Sequence, residues 1–222
     1  MRGGSAKSIP RSLTPASRRP ILGKMRHLGT WLAIALASCD GGAAGPDGAG
    51  PPGDGCPGGQ VTDGVGEPAA LAGITRAHNQ VRAMVSPCNP LPPLEWDPQL
   101  AATAAAWVAM CRDQDAPSGL IDHNPNRSAG YPSYVGENVF AAGGGAGPGI
   151  AQQAVSQWAA EAASYNYATN ACSGVCGHYT QLVWRDTRKI GCALGDCPSL
   201  TFRTSLVCDY GPGGNVGGQR PY

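Results

Sequence analysis

The sequence predicts an α+β domain in which an antiparallel sheet packs between helices and disulfides staple the shell. Three observations predict it. Segments of helical period come early, and alternating segments come after residue 176. Six cysteines, Cys111, Cys172, Cys176, Cys192, Cys197 and Cys208, fall within the same part of the chain. Upstream of them lies an export-type signal, so those sulfurs meet an oxidising compartment.

The elements follow in order. Residues 73–86, "GITRAHNQVRAMVS", place Ile74, Ala77, Val81 and Val85 at helical spacing, and Pro87 and Pro90 end that helix. Asp97 is a good N-cap for a second helix, with Pro98 at its first position. Leu100, Ala104, Trp107 and Cys111 then form its apolar face. A third helix starts near Gly149, with Ile150, Ala154, Trp158 and Glu161 near one stripe, so Glu161 falls beside an aromatic on the core side. The stretch "HYTQLVW" alternates His178, Thr180, Leu182 and Trp184 against Tyr179, Gln181 and Val183, and predicts a strand. "KIGCAL" and "TFRTSLVCDYG" predict two more, and the Gly/Ala run 141–149 predicts a loop.

The chain has 222 residues, a net charge of +1 and only 14% charged residues, which argues against a nucleic-acid partner. Lys24 and Arg26 precede a short apolar run from Leu28 to Ala37, the length of a signal core and too short to span a bilayer. Leu36-Ala37-Ser38-Cys39 resembles a bacterial lipobox, which implies cleavage before Cys39 and a membrane-anchoring lipid on its sulfur. An ordinary signal peptide with a chance cysteine is the other reading. Residues 1–24 either extend the basic region or precede a true start at Met25. Residues 39–70 carry almost no large apolar side chains and read as a Gly/Pro-rich tether. The organisation is therefore 1–38 signal, 39–70 tether and 71–222 folded domain.

Nine cysteines is an odd number, so at least one is unpaired or modified, and lipidated Cys39 would account for it. Cys172-x3-Cys176 followed by Cys192-x4-Cys197 has zinc-ribbon spacing, but free thiolates in an oxidising compartment tend to oxidise. With disulfides instead, the six clustered cysteines supply three bridges, and Cys56 and Cys88 either pair or stay free. A bridge closing a long loop contributes roughly 3–5 kcal/mol in the chain-entropy model.

The stretches "HNQVR" (78–82), "GEN" (136–138), "GHYTQLVWRDT" (177–187) and "LVCDYGPGGN" (206–215) together resemble the CAP superfamily of cysteine-rich secretory proteins, antigen 5 and plant pathogenesis-related proteins. "SYNYATNAC" (164–172) and "GQRPY" (218–222) are most similar to the plant members. The resemblance covers about residues 71–222 and implies an α-β-α sandwich with bridges Cys111–Cys197, Cys172–Cys176 and Cys192–Cys208. It also implies a cleft carrying His123, Glu137, Glu161 and His178. The chain departs from the family pattern at three points. Asn124 follows His123 where serine is usual, Cys111 and His123 are further apart than in the plant members, and Asp209 replaces a neutral or basic polar residue.

Two imidazoles and two carboxylates can hold a divalent metal such as zinc, the carboxylates completing or orienting the shell. They can act as an acid–base pair, or form a polar network that stiffens the cleft. No H-E-x-x-H or G-x-S-x-G sequence is present, nor a free cysteine paired with a histidine, which weighs against an enzyme. His78 reads as a packed or capping histidine, and His27 belongs to the signal. The expected function is a lipid-anchored binding module that needs no cofactor and sequesters a lipid, sterol-like molecule or small amphiphile, or contacts another surface. A hydrolase using the same cleft, or a purely structural extracellular domain, is the alternative.

Overall fold

Where Asp97 meets Pro98 the chain does what those two residues dictate. The Asp97 carboxylate accepts from the N–H of Gln99 (2.8 Å) and Leu100 (3.1 Å), and a helix follows. The computed structural model describes residues 59–86 and 88–222, all within one compact unit. The signal, Cys39 with its expected lipid, tether residues 39–58 and Cys56 lie outside the described residues.

In chain order the elements are α1 (Ile74–Val85), β1 (Glu95–Trp96), α2 (Pro98–Val108), β2 (Gly136–Ala142), α3 (Ile150–Ala160), β3 (Tyr165–Asn166), β4 (Ala171–Cys172), α4 (Gly177–Leu182), β5 (Lys189–Asp196) and β6 (Thr204–Gly211). Short 3-10 turns at Ala69–Leu71 and Glu161–Ser164 precede α1 and follow α3. The main sheet has the order β1-β5-β6-β2, with β1 parallel to β5 and the other pairs antiparallel. β3 and β4 form a separate two-stranded ribbon.

Alternation along the strands sorts the side chains onto two faces. Val139, Ala193 and Val207 meet Ala104, Trp107 and Val108 of α2 in one core. Phe140, Ile190, Cys192, Leu206, Cys208 and Tyr210 meet Ile74, Ala154, Trp158 and Leu182 in the other. Helices thus flank a mixed, mostly antiparallel sheet, the predicted α-β-α sandwich. Gly191 lets α2 press close, because a Cβ there would lie 2.1 Å from the Ala101 nitrogen.

The cysteines are disulfide-bonded as Cys111–Cys197, Cys172–Cys176 and Cys192–Cys208, the pairs the family resemblance implied, so these six form no zinc ribbon. Cys88 is disulfide-bonded as well, and its expected partner Cys56 lies outside the described residues. Disulfides of this kind belong to an oxidising, extracytoplasmic compartment. Among the described residues no helix is long and apolar enough to cross a membrane.

The clearest departure from the sequence reading is "HYTQLVW", which is not a strand. Residues 177–182 form α4 and Val183 caps it. The alternation was real, but Tyr179, Leu182 and Val183 also suit one helical face, and a long-range contact decides between the two. Glu161 accepts from the N–H groups of His178 (3.0 Å) and Tyr179 (3.2 Å), filling orphan donors of the first turn from seventeen residues away. The strands β1 and β2 were not foreseen, and Cys111 lies beyond the end of α2 rather than on its face. The end of the expected tether is tied to α1. Glu67 accepts from Gly73 N (2.7 Å) and Thr75 N (2.8 Å), Asn79 donates to Thr62, and Leu71 is buried.

Candidate functional site

His123, Glu137, Glu161 and His178 come from four different elements and form two imidazole–carboxylate pairs. His123 lies in the loop between α2 and β2, and its Nδ1 is 2.5 Å from Glu137 Oε1. The same oxygen accepts from Asn124 N at 3.0 Å. Glu137 occupies the second position of β2, and its side chain is fully buried while that of His123 is 58% exposed. His178 sits in the first turn of α4, with Nδ1 2.6 Å from Glu161 Oε1. Glu161 caps α3 and uses its other oxygen on the backbone of α4.

In each pair the carboxylate can only accept, so Nδ1 carries the ring proton and donates it. Nε2 of each ring is left as the basic, coordinating atom. Among the described residues neither Nε2 of this pair has a hydrogen-bond partner, whereas both nitrogens of His78 are used. Trp158 backs His178, their ring centroids 6.1 Å apart and 20° from parallel, and donates its indole N–H to Val139 O.

Both imidazoles line one cavity of about 580 Å³. Its walls are mostly apolar, with Pro117, Leu120, Ile121, Val139, Val175 and Phe202, and Asp115 and Asp122 also line it. Asp122, at its edge, accepts from the N–H groups of Gln114 and Asp115. The cavity can therefore hold an apolar body, with two oriented imidazoles at one side to meet a polar head, a proton or a cation.

His78, read as a packed histidine, is buried outside this cleft. Its Nδ1 donates to Ile74 O (2.8 Å) and its Nε2 accepts from Tyr210 OH (2.9 Å). Burial pushes its pKa down to about 4, so the ring is neutral. Arg82, one turn on, donates to the carbonyls of Pro92, Leu182, Trp184 and Thr187, which fastens the end of α4 to the β1 loop. Sequence reasoning did not single out Asn138, whose Nδ2 donates to His178 O (3.0 Å) and ties β2 to α4. Its place inside "GEN" was the available signal.

Residues 75–210 match the cysteine-rich secretory protein family, CAP. The chain is 37% identical to the Mus musculus protein "GLIPR1-like protein 1" over 164 residues, 70% of this chain and 65% of that one, so it spans just under two thirds of that relative's length. It is 40% identical over 147 residues to "Pathogenesis-related protein 1" of Arabidopsis thaliana, 66% of this chain and 79% of the relative. Among solved structures, venom allergen-like protein 4 of Schistosoma mansoni superposes with a TM-score of 0.57 at 27% identity, covering 70% of this chain and 95% of the other.

Proposed function

This chain belongs to the cysteine-rich secretory protein (CAP) family, and on that premise we propose that it is an extracytoplasmic binding module that takes a small lipid- or sterol-like amphiphile into the cleft between His123 and His178. The observation that carries this reading is the cavity: mostly apolar walls large enough for a hydrocarbon body, and two imidazoles fixed by carboxylates beside them. The lipobox-like sequence at Cys39 supports a lipid anchor that holds the module at a bacterial cell envelope.

Each glutamate is spent on its histidine and on backbone N–H groups, so Glu137 and Glu161 orient the rings. Among the described residues no group of three or more His, Cys, Asp or Glu side chains is placed to hold a metal ion. Zinc would therefore sit on Nε2 of His123 and His178 alone, with ligand or water completing its shell. There it would supply a positive charge for an anionic head group.

A hydrolase at the same cleft is the second reading, favoured by one observation: His178 has the carboxylate partner a general base needs. Uptake of a fluorescent fatty acid or sterol by the full chain separates the readings. Val175→Arg and Phe202→Arg alter exposed wall residues. Both should cut uptake at least tenfold, while His178→Ala leaves it within about threefold. Wild-type uptake unchanged by both wall variants would overturn the binding reading. Ester or peptide hydrolysis abolished by His178→Ala would establish the other, and an inert domain would show neither activity.

A further inference from the structure

We propose that the Cys172–Cys176 disulfide is a thiol–disulfide exchange site open to an external dithiol, and that reducing it releases the Val175 wall of the cleft. The bridge spans a sequence separation of 4 and closes the loop Ser173-Gly174-Val175. Cys172 ends β4 and Cys176 stands at the N-cap of α4. Both cysteines line a surface cavity of about 330 Å³, together with Tyr165, Thr180, Asn215 and Gln219. Val175, from the same loop, lines the larger cavity that holds the two imidazoles. One short loop thus stands between two cavities, with its sulfurs towards one and its apolar side chain towards the other.

Access sets this bridge apart from the other two whose partners are both described. Exchange needs a thiolate to reach one sulfur of the bond. Cys172 is exposed. Cys192 and Cys208 face each other across β5 and β6 and are both buried in the core. Cys197 is buried too, and its partner Cys111 is half-buried. An attacking thiolate therefore meets Cys172 first.

The step balances as follows. One thiolate of the dithiol attacks Cys172 Sγ, the Sγ–Sγ bond breaks, and its electron pair passes to Cys176 Sγ, which takes a proton from solvent. The second thiolate of the dithiol attacks the mixed disulfide and frees Cys172, which is protonated in turn. The protein gains two electrons and two protons, and the dithiol becomes a disulfide. Oxidation by a disulfide of the same class runs the sequence backwards.

What remains after reduction decides the consequence. β4 stays pinned, because Ser173 N and Oγ both donate to Ser164 O at 2.9 and 3.2 Å. α4 stays pinned, because Glu161 accepts from His178 N and Tyr179 N. Between these fixed ends lie Gly174 and Val175, both exposed, and the bridge is what closes the span. Reduction therefore frees the Val175 wall while the imidazole of His178 keeps its carboxylate.

The test treats the folded full chain with dithiothreitol, without denaturant, and traps thiols with iodoacetamide before peptide mass spectrometry. Cys172 and Cys176 should be labelled at least about tenfold faster than Cys111, Cys192, Cys197 and Cys208. In methyl 13C NMR the Val175 signals should collapse towards averaged values on reduction and return on reoxidation, while the ring signals of His123 and His178 hold. The double variant Cys172→Ser, Cys176→Ser should show the reduced Val175 signals throughout and no response to dithiothreitol. Should that variant not fold, the reversible change in the wild type carries the test. Equal labelling of all six cysteines, or Val175 signals indifferent to reduction, would overturn the proposal. The effect on ligand rests on the binding reading above: uptake of a fluorescent fatty acid should change at least about threefold between the two states. Uptake that is present and equal in both states would overturn the gating, whereas uptake absent from both would count against the binding reading and not against the exchange site.

Discussion

His178–Glu161 and His123–Glu137 are the same chemical pair built in two ways. Glu161 stands at a helix end, 17% exposed in its side chain, and takes three N–H bonds, two from the backbone of α4. Its histidine is 28% exposed in its side chain and lies against Trp158. Glu137 stands inside the sheet, fully buried, opposite another acid, and its histidine projects from a long loop into solvent. The first arm is set by packing and helix capping. The second is set by hydrogen bonds around one buried carboxylate. Among the described residues both leave Nε2 without a hydrogen-bond partner, so the cleft joins an imidazole backed by an indole to one carried on a loop.

The sharpest way to break the comparison is Trp158→Ala, which removes the wall behind His178 and the bond to Val139 O. Loss of a buried indole should cost about 3–5 kcal/mol in urea unfolding, and the His178 ring signals should broaden while those of His123 hold. Acid should weaken the side behind His178 next. His78 is neutral in the fold, with its pKa lowered from 6.5 to about 4, while the unfolded imidazole binds a proton in that window. Stability from this group is therefore present above pH 6.5 and lost as pH falls toward 4, at up to about 1.4 kcal/mol per pH unit. His78→Gln should flatten that limb.

Glu137→Ala should cost about 2 kcal/mol, because it strands a buried backbone N–H and leaves His123 without its acceptor. Glu161→Ala should cost less, about 1 kcal/mol, because water can reach the α4 N-terminus when the cap is gone. Smallest of all, His123→Ala should change stability by no more than about 0.5 kcal/mol, since its ring is largely exposed. Calorimetric zinc titration should nevertheless show binding lost, which separates a ligand role from a structural one.

Much of this architecture can be read locally. Asp97 and Pro98 start α2 as their chemistry requires, the spacing of Ile74 and Ala77 gives the buried face of α1, and the apolar run at 204–210 gives β6. The four cleft residues were named through motif resemblance and not through periodicity, and the structure assembles them as two pairs. α4 escaped because its helical cap is a side chain from another element. β2 escaped because it is buried along most of its length, so "GENVFAA" shows little alternation. Asp209 stood out in the sequence as a departure from the family pattern, but nothing there said what it faced.

By itself the sequence determined the α+β class, the starts of the three longer helices and the compartment in which sulfurs oxidise, because caps, periods and cysteines act over a few residues or through composition. Tertiary structure alone decided that residues 177–182 coil, that each imidazole is turned by its own glutamate, and that two acids meet in the middle of the sheet. Those outcomes depend on where unpaired donors and acceptors from distant segments are brought together, and only the folded chain sets those distances.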